Sequence, residues 1–509
     1  MLDVLRRHGF GGVLVGRTEW PEPERVVAAL EELGVVYVKF GQVLSTRSDL
    51  LPERYVTALA SLQDRVATLP TETVQRVIRQ ELGDDPDRLF ASFREEPLAS
   101  ASVAQVHVAS LRSGRPVVVK VQRPDLDVQV AEDVLVLSHL AAFLDLAIPR
   151  LRPYDLPSLV RDFQRTLEAE LDFLQEARNI RRFRERLEGD RRVWIPAVVD
   201  EFTTTRVLTM ERSNGERLEA YAQRHPEAAK ALARRLGGLF VRQVFRDGFF
   251  HADPHPGNIF VLPDGALCLH DFGMVGELPR SMREALVDLV ESTVSGDPRA
   301  ATESYFDLGL VPRDVDRRAV EEGVSELVRE VRSQPLSEVS VGRALESLGR
   351  LGGRYRIRNP GVFLLLCRAF VTLEGVLAKL DPGVSFVEMF RPAFADSLSE
   401  RLSVDRLGSD MAPTLRAMER LATDAPREAR RILHRWGEGA LGRVTVTPDP
   451  VEAARRTRSE RSIRQTVAAG FLALAGAVLL AGAPERLATV GSIFLIGGAA
   501  ALAYRFVRG

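Results

Sequence analysis

The chain has 509 residues, with 69 Lys and Arg set against 70 Asp and Glu. That length allows more than one domain, and the balanced charge leaves no electrostatic footprint for nucleic acid, so no nucleic-acid partner is expected. Two cysteines, Cys268 and Cys367, are too few for a disulfide framework or a structural metal site. In chain order, residues 1–70 read as a helical N-terminal extension broken at Leu50-Leu51-Pro52, with Ser48 or Asp49 as a cap. The first twenty residues lack a long apolar core, so no secretory signal is expected.

Residues 71–211 read as an α/β segment with a helical insert near 130–165. Arg115-Pro116-Val117-Val118-Val119-Lys120 has the composition of a buried strand with a lysine at its end. A buried strand lysine needs a carboxylate. The helix-forming stretch Leu167–Arg178 offers Glu168, Glu170, Asp172 and Glu176, with Asp172 and Glu176 four apart on one face. At this level the choice among them stays open. A second strand-like run, Thr205–Leu208, leads into Leu208-Thr209-Met210-Glu211. Residues 212–400 read as helical; Leu232, Leu236, Leu239, Phe240 and Val244 share one face of a helix, and another helix starts at Asn359-Pro360 and runs through Lys379 as a core element.

The densest chemistry lies at residues 248–273. Asp253 is followed five residues later by Asn258, and then by Asp271-Phe272-Gly273. Between them Ile259–Leu262 reads as a strand, Pro263-Asp264-Gly265 as a turn and Ala266–His270 as a returning strand, a hairpin that brings Asn258 close to Asp271. Protein kinases show the same spacing, H-R-D-L-x-x-x-N followed by D-F-G. Phosphoryl transfer needs one carboxylate to orient the attacking oxygen and hard oxygen ligands for Mg²⁺. Asp253 suits the first task, Asn258 and Asp271 the second. Lys120 would meet the phosphates, and Met210 and Glu211 stand where a kinase reads adenine. No glycine-rich loop precedes the lysine strand. Ala99, Ser100, Ala101, Ser102 and Val103 occupy that place, where backbone N–H groups still face phosphates but Cβ atoms stiffen the loop.

These motifs together resemble the UbiB-like atypical kinases, also called the ABC-one or ADCK family, over about Gly34 to Pro382. The resemblance rests on Lys39-Phe40-Gly41-Gln42 (K-x-G-Q), Ser45-Thr46-Arg47-Ser48-Asp49, Leu62-Gln63-Asp64, the alanine-rich loop at Ala99–Ser102 and Val119-Lys120-Val121-Gln122-Arg123-Pro124. It extends to Glu170-Leu171-Asp172 (E-x-D) with Glu176-Ala177, His251-Ala252-Asp253-Pro254-His255-Pro256-Gly257-Asn258, Asp271-Phe272-Gly273, Glu374-Gly375 and Leu380-Asp381-Pro382. Ser100 departs from the alanine often found in that loop. The resemblance implies an α+β, two-lobed kinase-like fold, with a small lobe at 71–211 and a helical large lobe at 212–400. It implies ATP and Mg²⁺ as cofactors and Glu176 as the partner of Lys120. Glu170 and Asp172 would meet the K-x-G-Q segment, so that Lys39 and Gln42 gate the site. It also implies support of ubiquinone or related prenyl-lipid biosynthesis, with membrane lipids and enzymes of that pathway as partners.

Residues 401–464 read as helical and basic. Beyond them Thr466–Ala483 and Leu487–Tyr504 are each eighteen residues without formal charge, joined by Pro484-Glu485-Arg486. Each is near the lower limit for a bilayer-spanning helix. Arg455, Arg456, Arg458, Arg461 and Arg464 precede the pair and Arg505 and Arg508 follow it, which predicts a transmembrane hairpin with both ends in the cytoplasm. Ala469, Ala473, Ala477 and Ala481 offer a small-residue face for packing. The sequence thus predicts a membrane-anchored ATPase or kinase of a small or lipidic acceptor, with a nucleotide-sensing scaffold or a true protein kinase as alternatives.

Overall fold

The computed structural model describes residues 2–9, 21–45, 51–62, 67–147, 155–309 and 311–390 except 313–314, 336–337, 356 and 358. All lie within one unit, Met1–Leu407. The hairpin expected at 466–504, the basic segment at 401–464 and the caps expected at Ser48 or Asp49 fall outside the described residues.

The N-terminal region forms helices α1 (Leu2–Arg7), α2 (Pro23–Leu33), α3 (Val35–Ser45) and α4 (Glu53–Leu59). The K-x-G-Q motif lies on α3. A Cβ on Gly41 would run into the methyls of Leu62 and Leu30, so glycine lets α3 close on its neighbours. After α5 (Thr71–Leu82) and α6 (Pro86–Leu89) comes the main sheet, with strands β1 (Ser92–Phe93), β2 (Ala99–Ser100), β3 (Ala104–Ser110), β4 (Pro116–Gln122) and β6 (Val207–Glu211). Its order is β1-β3-β4-β6, with β2 also on β3. The pairings are antiparallel, and Lys120 sits opposite Val106 on one side and Leu208 on the other. Along β4 the side chains alternate as a strand requires. Val117, Val119 and Val121 enter a cluster with Val74, Val77 and Ile78 of α5. The opposite face carries Val118, Lys120 and Gln122.

The helical insert is longer than expected: α7 (Leu126–Ala147) and α8 (Leu156–Leu171) pack against each other. The stretch 167–178 is not one helix. The chain breaks at Asp172, with φ −93° and ψ 94°, and α9 (Phe173–Arg186) begins. Asp172 caps α9 by accepting from Leu174 N at 3.0 Å, a role that suits a short acidic side chain better than a helix interior does. Asp172 and Glu176 therefore do not share the helix face expected of them.

The second part holds a sheet of order β5-β10-β9-β7, built from Val193–Trp194, Leu267–Leu269, Ile259–Val261 and Glu216–Arg217, and a two-stranded sheet of β8 (Phe249–His251) and β11 (Val275–Glu277). The expected hairpin is β9–β10, with Leu269 opposite Ile259. Around it pack α10 (Leu218–Arg224), α11 (Pro226–Val241), α12 (Arg280–Ser295), α13 (Pro298–Leu308), α14 (Arg317–Arg332), α15 (Val341–Arg354), α16 (Gly361–Leu380) and α17 (Phe386–Met389). Leu232, Leu236, Leu239, Phe240 and Val244 are all buried, although Val244 falls in a π-helical turn, Arg242–Asp247, that continues α11. Among the described residues α16 alone is long and apolar enough to cross a membrane, and half of that apolar window is buried in the protein. Its Phe370 packs edge-on against Phe240 at 5.3 Å and Phe386 at 5.4 Å, so α16 serves the core.

Candidate active site

Alternation along β4 aims Lys120 toward α9. There Phe173, Glu176, Ala177, Ile180 and Phe183 form the buried face at helical spacing. Lys120 Nζ meets Glu176 Oε2 at 2.8 Å and lies 5.2 Å from the Phe173 ring centre. Of the four carboxylates that the sequence offered, Glu176 is thus the one on the lysine. The other Glu176 oxygen accepts from Phe272 N at 3.3 Å. One turn on, Asn179 donates to Phe272 O at 2.9 Å. Helix α9 therefore grips both main-chain groups of the D-F-G phenylalanine, whose ring is fully buried against Phe183 and His251.

Asp271 adopts a left-handed backbone, φ 56°, uncommon for a residue with a side chain. Its carboxylate turns back to accept from Gly273 N at 3.1 Å. The Lys120 ammonium holds the Asp271 carboxyl below its ordinary range. Burial by itself penalises the charged lysine, but Glu176 and Asp271 outweigh it and the net shift is upward. Burial pushes the Glu176 carboxyl up, with Lys120 opposing.

The loop after β8 is fixed by His251, which is buried. Its Nδ1 accepts from Asp253 N at 3.2 Å and its Nε2 faces His270 O at 3.0 Å, so the proton sits on Nε2. Asn258 donates its side-chain amide to Asp253 O at 3.2 Å, and its main-chain carbonyl accepts from His270 N at 2.9 Å. Asp253, Asn258 and Asp271 are thereby held by one set of main-chain bonds. Asn258 spends its donor inside the loop, which leaves oxygen as the atom it offers a cation.

Of the segment expected to gate the site, one residue meets the E-x-D motif. Lys39 Nζ pairs with Glu170 Oε1 at 2.6 Å, and Gln42 donates to Leu62 O at 3.3 Å. Asp172 is occupied differently: besides capping α9 it pairs with Arg178 at 3.1 Å. Met210 is buried in the core. Glu211 accepts from Ala197 N at 3.1 Å and meets Arg115 at 3.4 Å. Both side chains serve the sheet, so only main-chain groups of this strand are suited to reading a base. In the alanine-rich loop, Ala99 and Ser100 are strand β2, the turn closes with Ala101 N on Ala104 O at 2.8 Å, and Ser102 and Val103 are buried.

Sequence reasoning missed three groups. Asn179 gave no motif signal. His270, next to Asp271, places Nε2 3.0 Å from Ser213 Oγ and 3.1 Å from Cys268 Sγ. Burial pushes the His270 imidazole down to about 4 and the Cys268 thiol up to about 12, so the ring is neutral and the thiol protonated. Arg123, quoted only as part of a motif, binds the alanine-rich loop.

A strand lysine held by a helix glutamate, with an Asp-to-Asn loop and D-F-G beside it, is a kinase-like arrangement. Residues 61–305 match the ABC1 atypical kinase-like domain and residues 324–385 the UbiB helical domain. The probable protein kinase UbiB of Xanthomonas campestris pv. campestris (strain B100) is 35% identical over 81% of this chain and 76% of its own. That of Azotobacter vinelandii (strain DJ / ATCC BAA-1303) is 34% identical over 80% and 77%. The Rv3197–erythromycin complex from Mycobacterium tuberculosis has a similar structure, with TM-score 0.51 and 26% identity over 72% of this chain and 94% of that one. The chain belongs to the UbiB family of atypical kinase-like proteins.

Proposed function

We propose that this protein binds Mg²⁺-ATP between Lys120 and Asp271 and hydrolyses it, or passes the phosphoryl group to a small or lipidic acceptor, in support of quinone or prenyl-lipid synthesis at a membrane. The observation that carries the reading is the Lys120–Glu176 pair at 2.8 Å with Glu176 also on the D-F-G backbone. One carboxylate thereby fixes the phosphate-binding lysine and the metal-binding segment together. Asp271, kept ionised by Lys120, and the Asn258 oxygen are the ligands for the cation. Such a pair without a full protein cage suits Mg²⁺, which takes its remaining oxygens from phosphates and water. The bound cation would neutralise charge on the phosphate oxygens. Asp253 orients the attacking water or hydroxyl, aimed by the bonds of its main chain to His251 and Asn258. Lys39 and Glu170 place the K-x-G-Q helix over the site, which favours a small or buried acceptor over a protein side chain. The paired uncharged segments at 466–504 with arginine on both flanks support an anchor that keeps this domain on the cytoplasmic face.

The test is ATP turnover with and without liposomes, beside phosphate incorporation into protein. Asp271→Asn is expected to lose Mg²⁺-dependent nucleotide binding, because an amide is a weaker ligand for a hard cation. Asp253→Asn is expected to keep binding and lose turnover. Equal rates for wild type and both variants would overturn the assignment.

A further inference from the structure

In a strand the side chains alternate, so the end of β4 distributes polar groups to several neighbours. Lys120 goes to Glu176. Gln122, two residues on and on the same face, donates to Leu171 O at 2.6 Å, next to the helix break. Arg123 turns the other way. Its Nε donates to Ala101 O at 3.0 Å, and its Nη2 donates to Ser100 Oγ at 2.9 Å and to Ala67 O at 2.7 Å. Its main-chain N donates to Val103 O at 2.9 Å. Arg123 therefore holds both sides of the alanine-rich turn and joins it to the segment that leads into α5.

Two features of the sequence prepare this contact. Pro124 restricts the residue before it to extended conformations, so Arg123 is set in place by its own backbone. The three acceptors lie around a planar fork that a guanidinium offers and an ammonium does not. A glycine-rich loop has freedom to rise and fall over a nucleotide. Here Cβ atoms remove part of that freedom, and Arg123 ties the turn to the strand that carries Lys120.

We propose that Arg123 is the positioning residue of the alanine-rich loop: it latches the turn at a fixed height over the nucleotide site and so sets how fast nucleotide leaves. The inference rests on the nucleotide-binding reading above. Ser100, with its hydroxyl on Arg123, is part of the latch and not a phosphate ligand.

The experiment follows release of a fluorescent ADP analogue from the full-length protein by stopped flow, with steady-state ATP kinetics and hydrogen exchange across residues 99–104. Arg123→Lys and Arg123→Ala are expected to release nucleotide at least roughly tenfold faster, because two or three charged hydrogen bonds are lost or weakened. KM for ATP should rise by a similar factor while kcat is kept, and the turn amides should exchange faster. Ser100→Ala, which removes one acceptor and leaves the arginine, should show about a two- to threefold effect of the same sign. A merely structural arginine would lower the melting temperature and leave release from the folded fraction unchanged. If Arg123→Ala fails to fold, the lysine variant and Ser100→Ala decide. Wild-type nucleotide binding with release unchanged in those variants overturns the latch alone. No nucleotide binding by wild type overturns the kinase-like reading and the latch with it.

Discussion

At the residue scale, Lys120 keeps its charge in a place where burial opposes it, because two carboxylates face it. This predicts how Glu176→Gln behaves. Removing one partner of a buried ion pair typically costs about 3–5 kcal/mol, because the other charge is left uncompensated. Here Asp271 remains beside the ammonium, and burial already pushes the Glu176 carboxyl up. The loss of stability should therefore fall below that range. Function should fare worse: Lys120 would move toward Asp271 and compete for the proposed metal ligand, while Phe272 N would exchange a carboxylate for an amide oxygen. The expected result is a fall in ATP turnover on the order of 10²-fold with only a small change in melting temperature. ATPase assays and thermal denaturation on the same preparation check it, and near wild-type turnover would remove Glu176 from the site.

At the element scale, strands were easier to read than breaks. The lysine strand and the β9–β10 hairpin were legible because alternation and a Pro-Asp-Gly turn are local signals. The break at Asp172 was not, since the stretch 167–178 has good helix formers throughout and nothing local forbids one helix. Tertiary demand decides it: Glu170 must reach Lys39 on α3 while Glu176 reaches Lys120 on β4, and Asp172 supplies the cap that makes two helices feasible. Likewise the sequence places Met210 and Glu211 where a kinase reads adenine but does not say what their side chains do, which in the fold is to serve the sheet. On α3, Gly41→Val should push against Leu62 and Leu30 and loosen the helix that carries Lys39, a destabilisation of about 1–3 kcal/mol. Chemical denaturation measures it, together with weaker nucleotide binding. On β3, buried His107 stacks on Phe93, faces Arg94 O at 3.0 Å through Nδ1 and lies 3.1 Å from Gln105 Nε2. Nδ1 thus donates and Nε2 accepts, which requires the neutral ring. Burial lowers its pKa below the usual 6.5. The unfolded chain then binds the proton first, so this contribution is complete above about pH 6.5 and is lost as pH falls toward the folded pKa, by up to roughly 1.4 kcal/mol per pH unit. His107→Asn should show a shallower fall in melting temperature between pH 7 and 5 than wild type, and equal slopes would exclude His107 as the source.

At the scale of the whole molecule, the catalytic constellation and the predicted anchor make separate claims on the chain. Each proposed nucleotide contact lies between Ala99 and Gly273, within the family-matched region 61–305. The uncharged segments begin at Thr466, beyond both matched domains. The one described helix that passes for a membrane span by length and apolarity, α16, has Phe363, Leu366, Phe370 and Leu373 buried, so it is already committed to the core. The proposed anchor is therefore assigned to residues 466–504 rather than to α16. Truncation after Arg464 should then release the protein from membranes, leave nucleotide affinity within about twofold and abolish most stimulation of turnover by liposomes. The reasoning on orientation is electrostatic. Five arginines precede the pair and two follow it, and each arginine carried to the bilayer centre costs at least about 2.5–3.5 kcal/mol. In the proposed topology both flanks would stay on the cytoplasmic side, where ATP is, and only Pro484-Glu485-Arg486 would cross. A cysteine at position 485 in a background lacking Cys268 and Cys367 should be labelled by an impermeant reagent from outside intact cells. Labelling only after lysis would reverse the topology, and a truncated protein that still sediments with membranes after a high-salt wash would place the anchor elsewhere.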